Sequence, residues 1–439
     1  MKRFLPLLLV FLVSCHTVPS HVNKDPEMSV VKTPTVSKSQ EFELPQTHDQ
    51  FESRALQTQK AQEKKTKVAL LLPFSGKHRD LGWSLFNSAT MSVFDNDHNH
   101  AIELVLFDSK ESAKETEEAF DEIVKREDIK VVIGPVFSQS LPSINKKAKR
   151  AKIAVISLSN NQESAERISY EGGVFVSGIL PETQVDRVVE YSLDSGRNNF
   201  VVIAPSTQYG RTMSTLFGRV VRNRDGNLIS SEYYDSNGMN IDKIVERAIT
   251  SFSVFGDLAE AKKSKKEVVA DNSNRAYPQV IFIPDTGRNL ARVVLAIKNL
   301  NKDERDFQIV GTSQWDDSAV MSDSNMFGAW FAAPDNTRFR NFERSYQQNF
   351  GKAPPRISSL AYDLTAAVIE LANQVGRSKA PTVADFVNYQ NPPINGFDGI
   401  DGSFRFLPNG LVQRNLAVLQ VGSGKFDTVD SPATKFLKY

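Results

Sequence analysis

Cysteine occurs once in this 439-residue chain, at Cys15. No disulfide can close within one copy, and no multi-thiolate metal site can form. Histidine is scarce too, and all six lie at or before His100. The rest of the chain therefore has no imidazole for acid–base work or zinc ligation. His98 and His100 make a His-x-His pair, but Asp97 and Asn99 beside them read as a solvated loop rather than a metal site. Gly-x-Ser-x-Gly and the phosphate-cradling glycine loop are both missing. These absences point away from an enzyme, with no catalytic residue, metal or cofactor expected. Charge of one sign is lacking as well. The 53 basic and 52 acidic residues leave a formal +1, without the strong field of a nucleic-acid binder. The apolar stretch Phe4 to Val13 is about half the roughly 20 residues a spanning helix needs.

Lys2 and Arg3 precede that stretch, and Leu12-Val13-Ser14-Cys15 ends it. A basic start and a short apolar region make a signal peptide, and its last four residues resemble the lipobox of bacterial lipoproteins. The resemblance implies a signal peptide over 1–14 and a diacylated Cys15, palmitate-type chains on its sulfur, as the mature N-terminus. Two or more acyl chains anchor stably where one does not. His16 stands where that family of signals places an inner-membrane retention aspartate. Periplasm-facing attachment to the outer membrane is therefore implied. Residues 16 to 66 contain no glycine and many Ser, Thr, Gln, Lys and Pro. They bury too little apolar surface to offset ordering entropy, so 15–66 is expected to be a disordered tether of at most about 165–180 Å.

At Lys67 the texture changes. Val68-Ala69-Leu70-Leu71-Leu72 is wholly apolar and ends in Pro73, Ser75 and Gly76; Leu81, Leu85, Ala89 and Val93 then recur every four residues. That is a buried strand feeding a helix, and the unit recurs. Strands are expected at 102–107, 131–133 and 153–156, with helices over 109–126 and 141–150. A second series follows Leu180-Pro181. Its strands are expected at 200–204, 228–232, 280–283, 307–310 and 327–332, and its helices over 183–195, 211–224, 241–255 and 287–300. Strands apolar throughout and alternating with helices imply parallel sheets covered on both faces. Two such runs predict two α/β lobes, each a doubly wound parallel sheet: 67–180 plus 335–397, and 181–334 plus 398–439. Helices over 338–350 and 360–375 join one lobe, and 403–406 with 415–421 reads as β-hairpin material. A lysine-rich insertion, 255–278, interrupts the second series and reads as solvated.

Several ordered segments match a known pattern. Lys67 to Gly76 resembles the opening of type I periplasmic binding proteins, the leucine/isoleucine/valine-binding superfamily. Val132-Ile133-Gly134-Pro135-Val136-Phe137-Ser138 resembles their Ile-Gly-Pro-x-x-Ser turn, and Ile153 to Ser157 their next strand. Gln208-Tyr209-Gly210 and Ala361-Tyr362-Asp363 are similar to two later motifs. A narrower resemblance is to penicillin-binding protein activator lipoproteins, carried by Ile309 to Trp315 and Phe327 to Pro334. The large helical-repeat domain of the enterobacterial activators has no room in 16–66.

The resemblance implies lobes joined by a hinge of several crossings, expected at Leu180-Pro181, Pro334 and Gly396–Gly402. In open parallel sheets ligands collect beyond the carboxyl ends of strands. By resemblance to amino-acid-binding relatives, Ser138, Ser159, Asn161 and Tyr209 match ligand contacts. Two matches fail. Asp285 or a neighbour stands where the relatives have a second-lobe tyrosine, and the acid that pairs with a ligand ammonium falls near Ser313. That loss removes about 1.5–3 kcal/mol of charge-assisted bonding, with Asp316 and Asp317 the available substitutes. Two roles follow. In the first and favoured one, the anchored domain binds and activates a peptidoglycan synthase (a penicillin-binding protein), with Trp83, Trp330 and the lysine insertion as surface elements. In the second it is a lipid-anchored solute-binding protein that serves an ABC transporter and takes an amino acid or similar ligand between its lobes.

Overall fold

The computed structural model describes residues 65–436 apart from 162, 165–167, 169–172, 255–274, 302–304 and 377–378. The expected signal peptide, Cys15, the tether as far as residue 64 and most of the lysine-rich insertion lie outside the described residues, and Thr66, expected as the tether's last residue, instead opens a strand. Five parallel strands build the first sheet: β1 (Thr66–Leu72), β2 (Ile102–Asp108), β3 (Ile129–Ile133), β4 (Ala154–Ser157) and β5 (Val174–Val176). Their order is β2-β1-β3-β4-β5. The apolar run of β1 is buried because it is covered twice. Val68, Leu70 and Leu72 face helices Arg79–Asn96 and Ser358–Val375, whereas Ala69 and Leu71 face helices Ala113–Val124 and Leu141–Ala151. Ser112 and Glu115 start the Ala113–Val124 helix with a capping box, satisfying two orphan N–H groups reciprocally.

The second lobe follows the same logic. Its strands are β6 (Asn199–Pro205), β7 (Asn227–Tyr234), β10 (Val280–Phe282), β11 (Gln308–Gly311) and β12 (Trp330–Ala333). A two-residue pair, β8 (Ser253–Val254) and β9 (Arg275–Ala276), closes antiparallel at the base of the insertion. A hairpin of β13 (Phe404–Phe406) and β14 (Val412–Arg414) precedes β15 (Ala417–Gly422) and β16 (Lys425–Asp430). The sheet runs β16-β15-β12-β11-β10-β6-β7, with β15 antiparallel to β12 and β16 antiparallel to β15. Helices Pro181–Asp194 and Gln208–Asn223 cover one face, and Ile241–Thr250 and Gly287–Leu300 the other.

Some boundaries differ from the periodicity. The helix expected over 241–255 ends at Thr250. There Thr250 Oγ1 donates to the Glu246 carbonyl (2.7 Å) and Ser251 Oγ to that of Ala248 (2.6 Å), side-chain bonds that compete with helix continuation. The strand expected from Phe327 starts at Trp330, because a 3-10 turn over Ser324–Met326 and Gly328 at φ +87° come first.

The largest difference concerns the lobe boundary. Residues 398 to about 414, expected with the second lobe, pack in the first. Phe404, Phe406 and Val412 are buried in the core that holds Phe175, Phe386 and Phe397, with Phe175 and Phe406 ring centroids 4.8 Å apart. An alternating hairpin satisfies the core of either lobe, so its pattern does not reveal its partner. The chain thus passes between lobes near 179–181, near 334–335 and at 415–416, where Arg414 still bonds Asp363 of the first lobe and Leu416 enters the second-lobe core. The third crossing is not at Gly396–Gly402, which sits against Asp363 and Phe404.

Candidate functional site

A cavity of about 580 Å³ opens between the lobes, and its described walls come from both. The first lobe contributes Asn160, Asn161 and Glu163 through a relay of side-chain turns beyond β4. Ser157 Oγ donates to the Pro135 carbonyl (2.9 Å) and accepts from Ser159 N (3.1 Å), Ser159 Oγ accepts from Asn161 N (3.1 Å), and Asn161 Oδ1 accepts from Ser164 N (2.7 Å). Each hydroxyl or amide substitutes for the ladder the strand has left behind.

The second lobe contributes Gln208, Tyr209, Thr212, Met213 and Leu216 from one helix, and Thr312, Ser313 and Gln314 from the loop after β11. Thr207 caps that helix by accepting from Gly210 N (3.1 Å), which fixes Tyr209 in its first turn. The loop is fixed from beneath: Trp315 is fully buried and donates Nε1–H to the Asp285 carbonyl (2.9 Å). It is fixed from the side by Gln184, whose Oε1 accepts from Ser313 N (2.8 Å) while Nε2 donates to the Ile179 carbonyl (3.2 Å). Burial raises the pKa of the Tyr209 phenol, the Asp285 charge adds to the rise, and interaction with Thr312 offsets part of it. Thr312 Oγ1 is buried on this wall without a hydrogen-bond partner among the described residues.

Two parallel-sheet lobes with a shared cavity at the carboxyl ends of their strands agree with the sequence comparison. The profile of the Periplasmic binding protein family matches residues 65–425. The chain belongs to that family. A relative, an uncharacterized protein of Rickettsia prowazekii, is 23% identical over 377 residues, covering 84% of this chain and 90% of that protein. Among solved structures, one assigned as a branched-chain amino acid ABC transporter from Rhodospirillum rubrum superposes with TM-score 0.65 at 14% identity, covering 83% of this chain and all of that one. An ABC transporter substrate-binding protein of Desulfitobacterium hafniense in complex with Leu gives TM-score 0.57 at 13% identity, with 83% and 100% covered.

In this periplasmic binding protein the four residues singled out from the sequence take different places. Asn161 and Tyr209 stand on the cavity wall from opposite lobes, and Tyr209 is 38% exposed. The Ser159 hydroxyl is buried and occupied by Asn161 N. Ser138 opens a 3-10 turn, Ser138–Ser140, and is not among the wall residues. His98 and His100 lie exposed in a turn, and no group of three metal-ligating side chains occurs among the described residues.

The acids near the cleft are engaged elsewhere. Asp285 accepts from the Tyr234 hydroxyl and from Thr286 N (2.8 Å); burial and this bond raise the pKa of the Tyr234 phenol. Asp316 faces away from the cavity, toward first-lobe Arg356 (3.9 Å) and Asn336 (3.4 Å), where burial raises its pKa against the pull of Arg356. Asp317 caps a short helix through Ala319 N (2.7 Å). Glu163, Gln184 and Thr212 had no motif to announce them, and Gln208, Thr312 and Gln314 lay in matching segments without being singled out. The available signal was position alone, polar residues just beyond strand ends or at helix starts.

Proposed function

We propose that this periplasmic binding protein is a solute-binding protein that captures a small polar molecule between its lobes for delivery to a membrane transporter. The observation that carries this reading is the shared wall. Asn161 on one lobe and Tyr209 on the other line the same cavity, so a ligand contacting both favours the closed pair of lobes over the open one. Calorimetric titration and thermal unfolding of the mature chain against a solute library test it. A cleft ligand at about 100 times its Kd raises stability by about 2.7 kcal/mol. Tyr209→Ala or Asn161→Ala is expected to remove most of that gain. Ligands whose effect survives both substitutions would place binding elsewhere.

Lipid attachment at Cys15, with the body facing the periplasm from the outer membrane, completes the proposal. The lipobox-like Leu12 to Cys15 supports it. Cys15→Ser is expected to move the protein from the membrane fraction to the soluble fraction of the expressing cell, and an unchanged partition argues against an acyl anchor.

Activation of a peptidoglycan synthase stands as the second reading, favoured by the activator-like segments Ile309 to Trp315 and Phe327 to Pro334. Of the surface elements it called on, Trp330 is 9% exposed, inside the second-lobe core, and the lysine cluster lies outside the described residues. Trp83 is 41% exposed beside Phe74 and Phe86. Retention of a penicillin-binding protein by the wild type and its loss in Trp83→Ala would turn the conclusion to this reading.

A further inference from the structure

The walls of the cleft say what kind of solute fits, given that the cleft is the binding site proposed above. Five wall residues are side-chain amides: Asn160, Asn161, Gln184, Gln208 and Gln314. Four are hydroxyls, Tyr209, Thr212, Thr312 and Ser313, and the apolar share is Pro181, Met213 and Leu216. Glu163 is the one charged side chain among the described wall residues. Gln184 is spent on Ser313 and Ile179, and the Asn161 oxygen on Ser164 N; each other amide pairs a donor with an acceptor, and each hydroxyl does both. Such a wall is complementary to groups that also do both, and a carboxylate ligand only accepts.

Charge points the same way. Glu163 opposes an anion directly, and the Asp285 carboxylate is near enough to act on Tyr209. A cation fares little better. Glu163 on the wall is already engaged, Asp285 accepts from Tyr234 and Thr286, and Asp316 is turned to Arg356 and Asn336. A free amino acid needs donors for its carboxylate and an unengaged acid for its ammonium; the described wall offers the donors, but its one acid, Glu163, is already engaged.

We infer that the cleft takes an uncharged, hydroxyl-rich solute, a sugar or polyol, whose hydroxyls span the amides and whose carbon face rests on Tyr209, Met213 and Leu216. Tyr209, Met213 and Leu216, spaced four and three residues apart on one helix, supply the apolar part of the wall for such a face, and the amide forks match neighbouring hydroxyls in pairs.

The test is calorimetry of the full mature chain with hexoses, a disaccharide and myo-inositol, beside leucine, glutamate, spermidine and N-acetylglycinamide, at low and high salt. The expected result is binding of at least one hydroxyl-rich probe, with a Kd little changed by salt, since no net charge is paired. Gln208→Ala and Gln314→Ala should each weaken it about tenfold. Glu163→Gln separates the classes further. It weakens a neutral ligand about tenfold, removes most binding of a cation, and tightens an anion.

Leucine, glutamate, spermidine or the amide binding more tightly than every hydroxyl-rich probe, with loss in Tyr209→Ala, overturns the inference and leaves the cleft as the site. Binding that ignores Tyr209→Ala and Asn161→Ala overturns the underlying reading instead. No heat from any hydroxyl-rich probe up to millimolar concentration overturns the inference as well.

Discussion

Asp363→Ala is expected to destabilise the protein by about 3–5 kcal/mol, the cost of leaving a buried cation without its partner. Asp363 and Arg414 are both buried, joined at 3.2 Å. Asp363 also accepts from Ile400 N (2.7 Å) and Asp401 N (3.3 Å). Arg414 uses Nη1 for this pair, holds its guanidinium 4.6 Å from the Phe404 ring, and leaves Nε and Nη2 without partners among the described residues. Truncating the acid leaves that cation with only the Gly402 carbonyl (3.3 Å) and the Phe404 ring, whereas Asp363→Leu combined with Arg414→Met is expected to recover most of the loss. Urea unfolding of the two singles and the double measures the coupling. Equal midpoints for Asp363→Ala and wild type would rule out a stabilising pair.

The same carboxyl gives a pH signature. Burial pushes its pKa up to about 7 despite Arg414, against about 3.9 in an unfolded chain. A folded pKa above the unfolded one means a contribution fully present below about pH 4, falling as pH rises and lost through about pH 7. Asp363→Asn should flatten that slope.

Trp315→Ala is expected to cost about 3–5 kcal/mol as well, and to abolish cleft binding with it. Trp315 has no exposed surface, packs near Phe331, and sits where a Cβ at Gly311 would come within 2.2 Å of its ring. The absence of a side chain at Gly311 therefore makes the ring's seat. Removing the indole takes away the Asp285 bond beneath Thr312, Ser313 and Gln314, so the wall loses its support. Trp315→Phe should keep much of the packing and lose the Nε1 bond, falling between the two. Thermal unfolding and titration on the same samples test both effects, and an Ala variant that binds normally would show that the loop is held by other means.

The sequence made the architecture readable wherever a pattern was long and one-sided. The runs 68–72 of β1, 131–133 of β3, 200–204 of β6 and the whole of β10 are apolar because each is buried on two faces, and Val185, Val188 and Val189 of the Pro181–Asp194 helix face the core. Tyr209 and Asn161 were reachable because they stand next to short motifs at the ends of strands. Ser159 carried the same motif but serves the turn, since serine bonds a neighbouring backbone N–H as readily as a ligand. Gln184 and Gln314 were not legible. Their place on the wall depends on how a helix and a loop far apart in the chain come together, which no local spacing records. The pairing expected of 403–406 with 415–421 does not form: β13 pairs with β14 in the first lobe, among the rings of Phe175, Phe386 and Phe397, while β15 joins the second-lobe sheet between β12 and β16.

Gln184 touches two places at once, the first passage between lobes at Ile179 and the Ser313 end of the cavity wall. Pivot and receptor surface on that side are thereby fastened into a single rigid jaw. On the proposed reading a solute would meet this jaw already assembled, and swinging the opposite lobe would shut the mouth without reshaping the face that reads the cargo.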